Sequence, residues 1–223
     1  MTSGMNSTEF IEQNDVFVSG ADGVNTYRIP ALIAGAGGEL LAFCEARKKS
    51  AADAGPTDLV LKRSMDNGQT WGAMLIVLRG IGDEAIMNPC PVFDGKNLIM
   101  LCINAHKTAR GHHRQLLLRS PDAGNTWSEP EDITEAVAHG VDTFITGPGV
   151  GIRAHDGRLI VPGYSGVYAD DASRLDTRSR VLFSDNGGRS WSLGAAVDYA
   201  FSNESQVLEL ASGELLLNFR IQK

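Results

Sequence analysis

One eight-residue signature recurs along this chain, and an internal repeat constrains architecture before any single residue can. Ser64-Met65-Asp66-Asn67-Gly68-Gln69-Thr70-Trp71 is the first copy, and Ser120-Pro121-Asp122-Ala123-Gly124-Asn125-Thr126-Trp127 is the second. Ser184-Asp185-Asn186-Gly187-Gly188-Arg189-Ser190-Trp191 is a third, with Asn186 at the Asp position and Ser190 at the Thr position. A second repeat runs in step. Gly38-Glu39-Leu40-Leu41, Lys96-Asn97-Leu98-Ile99, Gly157-Arg158-Leu159-Ile160 and Gly213-Glu214-Leu215-Leu216 each open an apolar run. Leu40, Leu98, Leu159 and Leu215 are spaced 58, 61 and 56 residues apart. A short apolar run precedes each box: Leu59-Val60-Leu61, Leu116-Leu117-Leu118 and Val181-Leu182-Phe183.

These runs are short and bounded by Gly, Asp and Asn, which marks strands rather than helices. No stretch sustains a helical period; the weak candidate is Asp132 to Val137. Each period therefore holds about four strands. In the first period, strand A is expected near Tyr27 to Ala34, B near Glu39 to Ala46, C near Asp58 to Ser64 and D from Trp71. The box is the C–D hairpin turn, its Asp and Gly supplying the turn geometry. The expected fold is all-β: a propeller of four-stranded antiparallel blades, with about three and a half blades present. Residues 1–15 are expected to be disordered and 16–223 to form the partial propeller. An open propeller leaves raw strand edges, so self-association or a complementary C-terminal half is an expected partner.

Composition narrows the function classes. A formal net charge of -7 argues against a nucleic-acid binder. Three cysteines, Cys44, Cys90 and Cys102, sit in apolar runs and read as buried thiols rather than a metal cluster. No signal peptide is visible and no run approaches the ~18 apolar residues of a membrane span. The expected location is cytoplasmic, with membrane-peripheral or lysosomal placement as alternatives. No cofactor and no metal is expected; the histidines His106, His112 and His113 lack ligand spacing.

Antiparallel order gives the blades a sidedness. The start of every A strand, the end of every B strand and every B–C loop share one face, and the boxes lie on the other. The chemistry is therefore expected away from the most visible motif. Arg28 opens strand A of blade one, Glu45 and Arg47 end its B, and Asp53 sits in its B–C loop. Met87 and Asn88 open A of blade two, and Asn104 ends its B. Tyr164 ends B of blade three, Glu204 opens A of blade four and Arg220 ends its B. Correct register brings these arginines, carboxylates and tyrosine to one mouth; one slipped strand would scatter them.

At these residues a family resemblance enters. Tyr27-Arg28-Ile29-Pro30-Ala31-Leu32 resembles the arginine-Ile-Pro motif of sialidases. The likeness continues through Met87-Asn88-Pro89-Cys90-Pro91, Thr146-Gly147-Pro148-Gly149, Val161-Pro162-Gly163-Tyr164 and Asn203-Glu204-Ser205-Gln206-Val207. With the boxes, it resembles the six-bladed Asp-box sialidases of the cytosolic animal and bacterial types, from about Val16 onward. The implied activity is that of an exo-alpha-sialidase acting on sialylated glycolipids, glycoproteins or oligosaccharides, with no nucleic acid and no transmembrane segment.

The resemblance also implies roles. Arg28 and Arg220 correspond to two of three arginines that grip the sugar carboxylate, a task suited to a permanently charged, bidentate guanidinium. Arg47 resembles an auxiliary arginine. Sialidases use a Tyr nucleophile, and a neutral phenol avoids the repulsion that a carboxylate would meet beside the substrate's own. Glu204 matches the base for that phenol. Asp53 matches the acid/base, with Asp58 as the fallback. Met87, Asn88 and Tyr164 correspond to sugar contacts. The family's third arginine and its Tyr nucleophile fall in later blades, beyond Lys223. A non-catalytic propeller that binds glycans or proteins is the alternative reading, and a closed four-bladed scaffold is a third.

Overall fold

The computed structural model describes residues 13–35, 37–53, 55–105, 113–138, 140–168 and 174–222. Blade one is β1 (Thr26–Ala34), β2 (Leu40–Arg47), β3 (Thr57–Ser64) and β4 (Leu75–Leu78). Blade two is β5 (Ala85–Phe93), β6 (Leu98–Ala105), β7 (His113–Ser120) and β8 (Glu131–Asp132). A single helical turn, α1 (Thr134–Val137), follows where the weak helical candidate stood. Blade three is β9 (Thr143–Thr146), β10 (Ile152–Arg153), β11 (Leu159–Tyr168), β12 (Arg174–Ser184) and β13 (Ser192–Leu193). Two strands of a fourth blade close the described chain, β14 (Ser202–Glu209) and β15 (Leu215–Ile221). Each blade is antiparallel in sequence order; one parallel pair, Thr57 with Ala85, links β3 of blade one to β5 of blade two.

The core lies between blades, not inside one. Strand residues alternate faces, so β2 sends Leu41 and Phe43 one way and Ala42, Cys44 and Ala46 the other. Leu41, Phe43, Leu59 and Leu61 pack on Leu98, Met100 and Leu118 of blade two. The opposite face of blade two sends Val92, Ile99 and Leu117 against Phe144, Leu159, Val161 and Leu182 of blade three. Ile160 and Val181 then meet Val207 and Leu217 of the fourth blade. An inner strand buried on both faces needs an almost unbroken apolar run, which is why β6 reads Leu-Ile-Met-Leu-Cys-Ile. All three cysteines are buried free thiols.

The third period departs from four strands. Its A strand is divided into β9 and β10 around Gly147-Pro148, a cis peptide bond. Pro148 has no N–H for the ladder, and Gln206 of β14 donates to its carbonyl (2.9 Å), so this stretch binds the next blade instead.

The boxes are the C–D turns. In the first, the Ser64 hydroxyl accepts from the Gly68 N–H (2.8 Å) and donates to Asp66 (2.7 Å). Asp66 accepts from the Thr70 N–H (2.9 Å) and hydroxyl (2.6 Å), and Trp71 Nε1 donates to the Gly68 carbonyl (3.2 Å). Those Thr70 bonds hold the Asp66 carboxyl down at about 2; Thr126 does the same for Asp122. Asn186 copies the arrangement in box three, accepting from the Ser190 N–H (3.0 Å) and donating to its hydroxyl (2.8 Å). The residue before the box Ser ties neighbouring blades. Arg63 donates to Asn125 and the Ala123 carbonyl in box two, and Arg119 donates to the Gly188 carbonyl in box three.

The two ends of the stack differ. At blade one, Phe17 and Val24 pack over Cys44, Ala46 and Val60, and Lys62 pairs with Asp22 (3.1 Å). Residues 1–12 of the stretch expected to be disordered lie outside the described residues. At the other end, Leu208 and Leu216 stand opposite each other on β14 and β15, and both are exposed. Among the described residues, no helix is long and apolar enough to cross a membrane.

Candidate active site

The A strands of blades one, two and four each carry a bulge at their start. Pairing with the B strand slips between Arg28 and Ala31, between Met87 and Cys90, and between Ser202 and Ser205. Inside the first two slips, the residue before a proline adopts a left-handed backbone: Ile29 at φ 55° and Asn88 at φ 53°. Gly147, before Pro148, has φ 53° at the matching place in blade three. A β-branched residue with positive φ is an outlier costing about 1–3 kcal/mol, and a following proline disfavours it further. Such bulges re-aim side chains. Here they turn Arg28 and Met87 toward the shared end of the blades.

Eight residues expected at that mouth line one cleft of about 360 Å³: Arg28, Arg47, Asp53, Met87, Asn88, Tyr164, Glu204 and Arg220. They come from all four blades. The cleft has a charged wall and an apolar wall. On the charged side, Asp53 Oδ1 accepts from Arg28 Nη1 (3.1 Å) and Arg47 Nη1 (2.8 Å). Both guanidiniums also donate to the Ala51 carbonyl, at 3.3 Å and 2.6 Å, which fixes the B–C loop. Across the cleft, Arg220 Nη1 pairs with Glu204 (2.9 Å), and Arg220 Nε donates to Asn203 (3.0 Å). Arg28 and Arg220 remain largely solvent-facing, while Arg47 is 1% exposed and Asp53 76%. On the apolar side, Met87, Ile103, Ile145 and Ala105 pack with Tyr164.

The fallback acid does not line the cleft. Asp58, on β3, is buried against Lys48 (2.7 Å) and accepts from the Gly80 N–H (2.9 Å), so it anchors a loop. Asn104 is likewise buried and outside the cleft lining. Of the histidine loop, His106 and His112 lie outside the described residues, and His113 lines the cleft from the start of β7.

Beneath the charged wall runs a buried polar chain that the motifs alone do not reveal. Glu45 is 0% exposed. Its Oε2 accepts from Arg47 Nε (2.9 Å) and Nη2 (2.6 Å), and its Oε1 accepts from the Asn88 N–H (2.9 Å). Asn88 Nδ2 donates to the Thr146 carbonyl (2.9 Å), and the Thr146 hydroxyl donates back to the Asn88 carbonyl (2.8 Å). Three blades are thus joined below the cleft floor. Burial pushes the Glu45 carboxyl upward, against the opposing pull of the Asn88 N–H and Arg47. The signal available in sequence was the spacing: Glu45 and Arg47, two apart on a strand, share a face. Ile103 and Ile145 carried no motif of their own.

Stacked antiparallel blades with box turns on one face and a charged, half-apolar cleft on the other define a β-propeller fold. The BNR repeat-like domain family matches residues 38–223. Sialidase-3 of Mus musculus is 34% identical over 209 residues, covering 83% of this chain and 50% of the relative. Sialidase-4 of Homo sapiens is 33% identical over 215 residues, covering 85% of this chain and 44% of the relative. Among solved structures, the Hadza microbial sialidase Hz136 superposes with a TM-score of 0.79 at 27% identity, over 91% of this chain and 43% of that one. The chain belongs to the BNR-repeat sialidase family. It spans about half the length of the curated relatives it matches.

Proposed function

We propose that this cleft is the carboxylate-gripping part of an exo-alpha-sialidase active centre, which removes terminal sialic acid from glycoconjugates with retention. The observation that carries the reading is the meeting of Arg28, Asp53, Glu204 and Arg220, far apart in sequence, in one cleft. Relatives of this chain bear the name sialidase, which supports the substrate class.

In the resting arrangement, the protein's own carboxylates occupy the exposed guanidiniums: Asp53 on Arg28, Glu204 on Arg220. A sialic acid carboxylate competes for the same donors, and a planar fork suits it. Its arrival frees Asp53 from Arg28, so that Asp53 takes a proton from solvent, delivers it to the departing glycosidic oxygen and, as the carboxylate again, activates water. Glu204 accepts the phenolic proton of the Tyr nucleophile, which the family resemblance assigns to blades beyond Lys223. The apolar wall of Met87, Ile103 and Ile145 faces the uncharged arms of the sugar. The hydrolysis proposed is therefore that of the closed propeller, to which this chain contributes one part.

The test is turnover of a fluorogenic aryl sialoside by the 223-residue chain, alone and supplied with a C-terminal half. Glu204→Gln keeps volume and hydrogen bonding, so the circular dichroism spectrum should be unchanged while turnover falls by about 10²–10⁴-fold. Unimpaired turnover in that variant refutes the role of Glu204. Sialoside binding without turnover in either form favours the non-catalytic, glycan-binding propeller.

A further inference from the structure

We propose that Glu45 is a positioning residue that divides the charge of Arg47, so that Arg47 anchors Asp53 without fixing it in the ionised form. The proposal rests on the acid/base reading of Asp53 above. Its basis is geometric. The Arg47 guanidinium lies between two carboxylates, presenting Nε and Nη2 to Glu45 and Nη1 to Asp53. Both oxygens of Glu45 already accept hydrogen bonds, which is the bonding of a carboxylate rather than an acid. Glu45 cannot follow Asp53 toward solvent, because the Asn88 N–H of blade two holds its other oxygen.

The charges then count as follows. In the free cleft, Arg28 and Arg47 face Asp53 and Glu45, and the four charges cancel. When a substrate carboxylate takes Arg28, Glu45, Arg47 and Asp53 remain, with one negative charge in excess. That excess favours a proton on Asp53, where a leaving-group acid needs it. With Glu45 neutral, Arg47 and Asp53 would balance alone, and Asp53 would stay ionised. The other charged groups nearby leave this count unchanged. Lys48 is taken by Asp58 and Lys49 by Asp83 in the flanking segments. On the far wall, Glu204 of β14 and Arg220 of β15 pair with each other, and His113 lines the cleft from β7.

The experiment is a carbon-13 NMR titration of the Asp53 carboxyl in the full chain, its resonance assigned by loss in Asp53→Asn. Glu45→Gln should move the titration midpoint down by about one pH unit, the order expected from deleting one nearby charge in a partly screened site. Saturating N-acetylneuraminate should move it up in the unmodified chain. The double variant Glu45→Gln/Arg47→Met leaves no unpaired buried charge, so it folds even where the single variant does not. With the direct cation gone, its midpoint should rise. An unmoved midpoint in folded Glu45→Gln, or a fall in the double variant, overturns the proposal. The sialoside assay reads separately: shifted midpoints without turnover, even with the C-terminal half supplied, keep the Glu45 coupling and discard the hydrolase.

Discussion

Replacing Arg47 by Met should expose how much the fold depends on a charge placed beneath the cleft. Arg47 is 1% exposed and donates to Glu45, Asp53 and the Ala51 carbonyl. Removing it leaves the Glu45 carboxylate in the interior with the Asn88 N–H as its remaining partner. Breaking a buried ion pair from one side costs about 3–5 kcal/mol, a large part of the 5–15 kcal/mol that holds a typical domain together. Adding Glu45→Gln removes the stranded charge and keeps an acceptor for Asn88, so about 2–3 kcal/mol should return. Urea unfolding measures both, provided the m-value is shared. The loss also has a sign in pH. Burial holds the Glu45 carboxyl above its unfolded value, and losing Arg47 raises it further. The folded form then binds more protons than the unfolded one, so stability falls as pH rises through that window. The single variant should be weakest near neutral pH and recover as the solution is acidified toward about pH 4–5. A cost under about 1 kcal/mol at neutral pH, or a double variant no better than the single, would refute the reasoning.

Two other outcomes follow from the box turns and the open edge. The Asp66 and Asp122 carboxyls sit at about 2, below their unfolded value, so their contribution is present above about pH 4 and is lost as pH falls toward 2. Asp122→Asn, which copies Asn186, should keep the turn yet reduce the acid-side loss seen by circular dichroism; an unchanged acid transition counts against this. The exposed Leu208 and Leu216 pair should drive the isolated chain to self-associate in sedimentation velocity, and Leu208→Lys with Leu216→Glu should shift it toward monomer. A monomeric unmodified chain would contradict that expectation.

Strand positions were legible because short apolar runs and box turns recur at near-constant spacing; β1 to β3 fall within a residue or two of their expected bounds. The cleft residues were legible for a related reason: a repeat with fixed strand direction sends every A start and B end to one side. What the repeat does not encode is depth. Glu45 and Asp53 both belong to that side, yet one is fully buried and the other projects into solvent. Nor does it encode contacts between periods. The Asn88 bond to Glu45 and the Gln206 bond to Pro148 cross from one blade to the next, and they depend on how the blades stack. The divided A strand of blade three belongs to the same class, since its backbone is satisfied by a neighbour 58 residues on.

The left-handed turns at Ile29, Asn88 and Gly147 recur at one place in successive blades although the residues are chemically unlike. Orientation at the axis is therefore a property of the main chain, and identity is left to whichever side chain occupies the kink. A frame of that kind separates the specification of a location from the specification of a chemistry. It allows ligand preference to drift through single substitutions at the kinks while the surrounding sheets keep their hydrogen-bond ladders, which is a physical route by which one architecture can serve many polar ligands.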